Sequence, residues 1–387
     1  DCLLSRGLGD VYKRQLLCFS SANMITYAVE TDIEDDVYVV KSGIVTPLIP
    51  EDIALSTQIQ IILSLDVKWE ELSNGVLRVF SCNPNFNAIP DCCSYDYFGE
   101  PFMGYGANWP DSCTKLVIED SIKTIGKSAF DGCSFDEVEI YCHESGTIVD
   151  MEAFHDTKIN KLTVYGERIE FEKGACIVSK INTLDLSECE RADLGECSFQ
   201  TCAYLINILP PKEHFYIGES AFSLCDNVNI SNIDFSQTPT YIEDGAFSDC
   251  RSIPQKVILP ESIMSIGRSA SAFRYTDVNT CVILNPDMEI NDWNDDITIY
   301  GYKGSTAEEY VNSHDECNCI FIPLDDIKGD VKTDAEVNIN DIVLLQKYLV
   351  KMDILNEKQF AAADINNDGT VNIFDLMMLK KIIQSAQ

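Results

Sequence analysis

The densest run of chemically capable residues lies near the C-terminus: Asp364-Ile365-Asn366-Asn367-Asp368-Gly369-Thr370-Val371-Asn372-Ile373-Phe374-Asp375. Oxygen side chains at loop positions one, three, five and twelve can surround a hard cation. The backbone carbonyl of position seven, Thr370, adds another oxygen, and glycine at position six permits the sharp turn. Calcium fits this donor set, with Asn372 at position nine contributing directly or through water. An Asp/Asn/Gly turn is common by itself. Here a second copy lies 34 residues earlier, as Asp330, Asp334, Asn338 and Asp341, with the carbonyl of Glu336 at position seven.

The earlier copy departs from the pattern twice. Lys332 stands at the third position, where an oxygen ligand belongs, and brings a positive charge. Ala335 replaces the turn glycine, and a Cβ in a left-handed conformation costs about 1 kcal/mol or more. Two calcium sites are therefore expected, the first weaker or empty. Each loop leads into an apolar-periodic helix, Ile342 to Leu349 and Leu376 to Ile383, and no helix is expected ahead of the second loop.

Upstream of the loops the chain is repetitive. Ile125-Gly126-Lys127-Ser128-Ala129-Phe130-Asp131-Gly132-Cys133 recurs from Ile217 to Cys225 and from Ile242 to Cys250. Weaker copies run from Val149 to Phe154, Phe171 to Cys176, Leu194 to Cys202 and Ile266 to Phe273. The aligned positions 130, 154, 176, 199, 222, 247 and 273 step by 22 to 26 residues, which is the range of a solenoid coil. Between them lie short segments with period-two apolar residues: Leu116 and Ile118, Val138 and Ile140, Leu162 and Val164, Leu184 and Leu186, Val228 and Ile230. Such segments pair in parallel, rung on rung. One unit cannot bury its apolar side alone, so the Ala-Phe pairs must share a core with their neighbours.

The 63 acidic and 28 basic residues give a formal charge of −35, which disfavours nucleic acid and anionic lipid and favours cations. No run of about 18 apolar residues is present, so no bilayer span is expected. The 17 cysteines do not read as a disulfide framework. Cys133, Cys202, Cys225 and Cys250 each follow a repeated phenylalanine by three residues, a spacing that stacks equivalent positions, and are expected as reduced, buried fillers. Zinc is disfavoured because no CxxC pair exists and only four histidines are present. No GxSxG elbow, P-loop or HExxH occurs, and no carboxylate pair is singled out for glycoside hydrolysis. No catalytic residue is assigned.

The IGxxAFxxC motif, with a Leu259-Pro260-Glu261-Ser262 turn before the next Ile-Gly, resembles the BspA-type leucine-rich repeat. Residues 67 to 323 fall within the resemblance. WEELSNGVLRV from Trp69 with Trp109-Pro110 looks like the family's lead-in, and Ile297 to Tyr310 with Phe321-Ile322-Pro323 like its exit. The two loop-plus-helix copies over residues 329 to 387 resemble a type I dockerin, joined by a short linker at 324–328. Together these imply a mixed α/β fold, a leucine-rich-repeat solenoid with parallel strands followed by a small α-helical dockerin.

The dockerin resemblance implies calcium ligands Asp364, Asn366, Asp368, Thr370, Asn372 and Asp375, and in the first copy Asp330, Asp334, Glu336, Asn338 and Asp341. It also implies a cohesin partner on a scaffoldin, met by Ile373, Phe374, Lys380 and Lys381 or by Ile339, Asn340, Gln346 and Lys347. The set from the second copy, Ile373, Phe374, Lys380 and Lys381, with an aromatic and two lysines on an acidic protein, is the preferred face. The repeat resemblance implies recognition of a protein or carbohydrate surface. A secreted, non-catalytic binding or adhesion protein of a cellulosome-like assembly follows. The alternative is an accessory component of polysaccharide degradation, with hydrolase activity in its partners or, less favoured, in this chain.

Asp10 to Gln15 match the translation of a transposase end used in sequencing libraries, and residues 1–15 are read as an adapter artefact. Leu16-Leu17-Cys18-Phe19 and the residues to Ala28 look like the second half of a signal peptide, with Thr26 and Ala28 before the cut. Residues 29–66 are apolar and acidic and carry no motif.

Overall fold

The computed structural model describes residues 39–44, 67–83, 87–91, 109–110, 112–267, 272–290, 296–314 and 318–385. The expectations for residues 1–28, and for most of 29–66, lie outside these. Two compact units divide the chain: residues 1–252 with 272–276, and residues 253–271 with 277–387.

The first unit opens with β1 (Val39–Ile44), β2 (Val67–Leu72) and β3 (Val76–Ser81), paired antiparallel. The strands that follow are β4 (Ala88–Ile89), β5 (Lys115–Ile118), β6 (Thr124–Ile125), β7 (Ser134–Tyr141) and β8 (Thr147–Val149). Next come β9 (Lys158–Phe171), β10 (Lys180–Leu194), β11 (Asn207–Leu209), β12 (His214–Ile217) and β13 (Thr240–Ile242). They build two parallel ladders. One runs β3-β5-β7-β9-β10-β11. The other runs β4-β6-β8-β9-β10-β12-β13. The long strands β9 and β10 serve both, the first half in one ladder and the second half in the other. The period-two residues Leu116, Ile118, Val138, Ile140, Leu162, Val164, Leu184 and Leu186 are all buried, as alternation on a one-sided sheet requires.

A column of aromatic rings forms the core. Phe130, Phe154, Phe199, Phe222, Phe247 and Phe273 are fully buried. Ring centroids lie 5.2 Å apart for Phe130–Phe154, 5.7 Å for Phe199–Phe222, 5.5 Å for Phe222–Phe247 and 6.1 Å for Phe247–Phe273. Trp109 extends the column, stacked 4.8 Å from Phe130 with its indole N–H donating to the Ala129 carbonyl at 2.7 Å. The repeat that carries Cys176 instead of phenylalanine is repaired locally. Its leading position holds Phe171 where other copies have an aliphatic residue, and that ring meets Phe199 edge-on at 5.0 Å.

The motif cysteines hold a role beyond filling. Cys202 Sγ, Cys225 Sγ and Cys250 Sγ lie 3.2, 3.1 and 3.1 Å from the carbonyl oxygens of Cys176, Phe199 and Phe222. Each donates to the coil before it. In earlier coils Thr157 makes the same bond to Phe130 at 2.9 Å, and Ser179 makes it to Phe154. The position selects a small donor. Cys202, Cys225 and Cys250 are buried free thiols, while Cys133 is only partly buried. The motif glycine has its own cause: a Cβ on Gly126 or Gly218 would lie 2.4 Å or 2.5 Å from the carbonyl oxygen of Ile89 or Leu194.

The expected strand at Val228 and Ile230 is not formed. Ile230–Asn232 is instead a 3-10 turn, with the Asn229 side chain accepting from the Ser231 amide at 2.9 Å. Short polar side chains here offer the backbone local bonds that compete with a ladder. Ile230 and Ile233 still face inward.

The second unit contains β14 (Lys256–Leu259), β15 (Ile263–Ile266), β16 (Thr280–Ile283), β17 (Glu289–Ile290) and β18 (Thr298–Gly301). Helix α1 (Thr306–Ser313) and β19 (Ile320–Pro323) follow. β14, β16, β18 and β19 form one parallel sheet, and β15 pairs parallel with β17. Residues 324–328 are not a free linker: Leu324–Asp326 is a 3-10 turn whose Leu324 is buried with Val282 and Tyr302. Helices α2 (Ile339–Leu349), α3 (Glu357–Ala363) and α4 (Ile373–Ser385) complete the unit. Their core is Val331, Ile342, Leu345, Leu355, Ala363, Leu376 and Leu379.

Candidate calcium site and partner face

The two acidic loops share one backbone design. In the second, Asp364 accepts the Asp368 amide at 3.0 Å and the Gly369 amide at 2.9 Å, one on each carboxylate oxygen. In the first, Asp330 accepts the Asp334 and Ala335 amides at 3.0 and 2.8 Å. Position twelve closes each loop in the same way. Asp375 accepts from Ile365 at 3.0 Å and Asn372 at 2.9 Å, and Asp341 accepts from Lys332 and Asn338 at 2.8 Å each. Asp330, Asp341, Asp364 and Asp375 are all buried. The left-handed residues match too: Thr333 and Ala335 have φ of 55° and 62°, and Asn367 and Gly369 have 56° and 82°.

The remaining expected ligands sit on the loop rims. Asn366 Nδ2 donates to Asp368 at 2.8 Å, and the Thr370 hydroxyl donates to the same carboxylate at 2.6 Å. Those bonds hold Asp368 below its ordinary carboxylate range. Asn372 and Asn338 accept the amides of Phe374 and Asn340 at 2.8 Å each, starting the helices that follow. One Glu336 carboxylate oxygen accepts from Lys256 at 2.9 Å, and the other accepts from Asn338 Nδ2 of its own loop at 3.0 Å. The Lys332 ammonium lies 3.7 Å from Asp334.

Among the described residues, no group of three or more His, Cys, Asp or Glu side chains gathers tightly enough to hold a metal. The chemistry of the donors nonetheless fits calcium. Every candidate ligand is a hard oxygen. Burial pushes the Asp330 carboxyl up to about 6, the charges of Asp334 and Asp341 push the same way, and the two amides oppose it. A cation among these carboxylates would relieve both burial and repulsion.

A short helix does precede the second loop, contrary to the sequence expectation. α3 ends at Ala363, and Asp364 is its C-cap. Asn356 and Gln359 form a capping box at its start, with bonds of 2.8 and 3.1 Å, a spacing readable in the sequence.

The expected partner residues all stand in solvent. Ile373 and Phe374 are 55% and 64% exposed, and Ile339 is 62% exposed. Asn340, Gln346, Lys347, Lys380 and Lys381 are exposed as well. Ile339 and Ile373, apolar residues that a short helix pair could have used as core anchors, are thus surface residues. Helical spacing puts Ile373, Phe374, Met377, Lys380 and Lys381 on one face of α4, and Ile339, Val343, Gln346 and Lys347 on the matching face of α2. Met377 and Val343 are exposed at 52% and 44% and were not singled out in the sequence, where their apolar character pointed to the core.

The family model for the dockerin type I domain matches residues 328–384. That for the BspA type leucine rich repeat region (6 copies) matches residues 108–228 and 180–293. Comparison with curated proteins returns no match. Among solved structures, a leucine-rich repeat protein from Bacteroides ovatus is 15% identical with a TM-score of 0.30, covering 66% of this chain and 74% of its own. One from Eubacterium ventriosum is 14% identical with a TM-score of 0.24, covering 67% and 83%. The pneumococcal vaccine antigen PcpA is 10% identical with a TM-score of 0.24, covering 67% and 97%. Repeat motif, ring column, paired loops and both family matches agree: the chain carries BspA-type leucine-rich repeats over residues 108–293 and a type I dockerin domain over residues 328–384.

Proposed function

We propose that this chain is a secreted, non-catalytic binding protein. Calcium-loaded dockerin anchors it to a cohesin-bearing scaffoldin, and its repeats engage a protein or carbohydrate surface. Dockerins are calcium-binding modules with cohesin partners, and leucine-rich repeats are binding modules. The observation that carries the reading is the α4 face. Ile373, Phe374 and Met377 are apolar and exposed beside Lys380 and Lys381, directly after a loop whose Asp364 and Asp375 are held by backbone amides. On a chain of net charge −35, two adjacent lysines beside an aromatic make a surface suited to an acidic partner.

Calcium would organise this face from the second loop, through Asp364, Asn366, Asp368, the Thr370 carbonyl, Asn372 and Asp375. The first loop is the weaker site because Lys332 removes one ligand and adds repulsion. On the repeats, a contiguous charged stripe favours binding over mere spacing. Lys115 pairs with Glu139 at 2.7 Å and Lys161 with Asp185 at 2.8 Å, and Tyr141 stacks on Tyr165 at 4.7 Å beside them.

The test is capture of the full chain by an immobilised cohesin, with calcium and with chelator, alongside calorimetric calcium titration. Asp364→Ala is expected to abolish capture, and Asp330→Ala to weaken it less. A gap between the two sites of about ten-fold or more is expected from ligand charge and number. Two equal sites would show that Lys332 does not weaken the first. Capture that is indifferent to chelator would remove the calcium-dependent anchoring role.

A further inference from the structure

One of the first loop's two departures from the calcium pattern, Ala335, and the residue that follows it make contacts to the last repeats. Ala335, at the position of the turn glycine, packs its methyl against the cluster of Val282, Tyr302 and Leu324 from β16, the β18–α1 connection and the 3-10 turn. At the equivalent point of the second loop, a Cβ built on Gly369 would meet nothing within 4 Å. The alanine therefore gains a contact that its counterpart could not. The next residue, Glu336, reaches Lys256 on β14 at 2.9 Å, a bond that spans 80 residues of sequence. Helix α3 adds a third attachment: Lys358 Nζ sits 3.5 Å from the centroid of the Tyr302 ring and 3.9 Å from Glu261. A cation over an aromatic face is attractive, the more so when water is partly excluded.

Lys332 completes the picture. Its amide donates to Asp341 and its ammonium approaches Asp334, so it supplies within the loop part of the positive charge that a bound cation would bring. We propose that the first loop is a calcium-independent clasp that fastens the dockerin to the final coils of its own solenoid. Ala335 and Glu336 are its contact residues, and Lys332 is its internal counter-charge. The left-handed strain at Ala335 is offset by packing on the repeats. The second loop is left as the calcium-responsive half, and the α4 face is presented in a fixed relation to β14, β16 and β18.

This inference rests on the proposed function only for the second loop's calcium dependence, and its test reads no cohesin. The experiment is amide hydrogen exchange on the full chain, with calcium and with chelator. The probes are the Asp334 and Ala335 amides in the first loop and the Asp368 and Gly369 amides in the second. Chelator is expected to speed exchange at 368 and 369 by about ten-fold or more while 334 and 335 stay within about two-fold, since local opening follows the contacts that hold each segment. Two variants test the fastening. Ala335→Gly relieves the backbone but deletes the methyl, and Lys256→Glu lies outside the dockerin and repels Glu336. Each is expected to speed exchange at 334 and 335 in chelator by about three-fold or more.

Loss of first-loop protection in chelator to the same degree as the second would overturn the clasp. So would an Ala335→Gly chain protected as well as, or better than, the parent. If the second loop ignores calcium while the first keeps its protection and responds to both variants, the proposed function fails and the clasp stands.

Discussion

At the scale of single residues, the repeat's small position is decided by a hydrogen bond. Cysteine, serine and threonine occupy it in turn because each can donate to the carbonyl of the preceding coil while fitting a closed core. Burial drives the Cys202 and Cys225 thiols well above their ordinary range and Cys250 up to about 12. A thiol so displaced is almost never thiolate at neutral pH and is a poor nucleophile. Native, unreduced protein should leave Cys202, Cys225 and Cys250 unlabelled by a thiol reagent at pH 8 and release them only in denaturant. A disulfide recovered between any two of them would overturn their role as donors. Cys133, partly exposed, is expected to react first of the four motif cysteines.

At the scale of elements, each coil stands on its ring. Phe222 lies between Phe199 and Phe247, fully buried, so Phe222→Ala is expected to destabilise the solenoid by about 3 to 5 kcal/mol. A urea melt showing no loss would count against the column as the seat of stability. The coil with Phe171 and Cys176 offers a sharper check, because its large and small residues have traded places. Cys176→Phe alone should overpack the core and cost about 1 to 3 kcal/mol. Adding Phe171→Ile should recover most of that loss, since the volume then matches the other coils. Additive costs in the double variant would show that the two positions do not share one space.

For the molecule as a whole, the excess of acid over base sets how it responds to salt. Cross-coil pairs such as Lys115–Glu139 and Arg168–Asp193 are partly exposed and each contributes about 0 to 1 kcal/mol. Against them stands the mutual repulsion of a chain at −35. Screening weakens both, and the unpaired excess is the larger. The urea midpoint should therefore rise between about 0.05 and 0.5 M sodium chloride, where the Debye length shrinks to a few ångströms. A falling midpoint would mean that the ion-pair ladders dominate. No helix among the described residues is long and apolar enough to cross a membrane.

Much of this was legible in the chain itself. A coil length of 22 to 26 residues, the ring at its centre, and the oxygen spacing of the loops are local patterns, and local patterns repeat their meaning wherever they occur. The Asn356–Gln359 capping box that starts α3 is an equally local pattern. Other features were beyond any local pattern. Whether Ile373, Met377 or Val343 faced core or solvent depended on which side of α4 and α2 met Leu345 and Leu379, and apolar character is the same in both settings. The failed strand at Ile230 turned on a competition between ladder and side-chain bonds that period-two spacing does not weigh. Lys332 and Ala335 read from the sequence as defects of a calcium loop. Only the folded chain brings Val282, Tyr302 and Lys256, some 33 to 80 residues away, against Ala335 and Glu336, because loop closure over such distances is fixed by the packing of whole coils and not by neighbours in sequence.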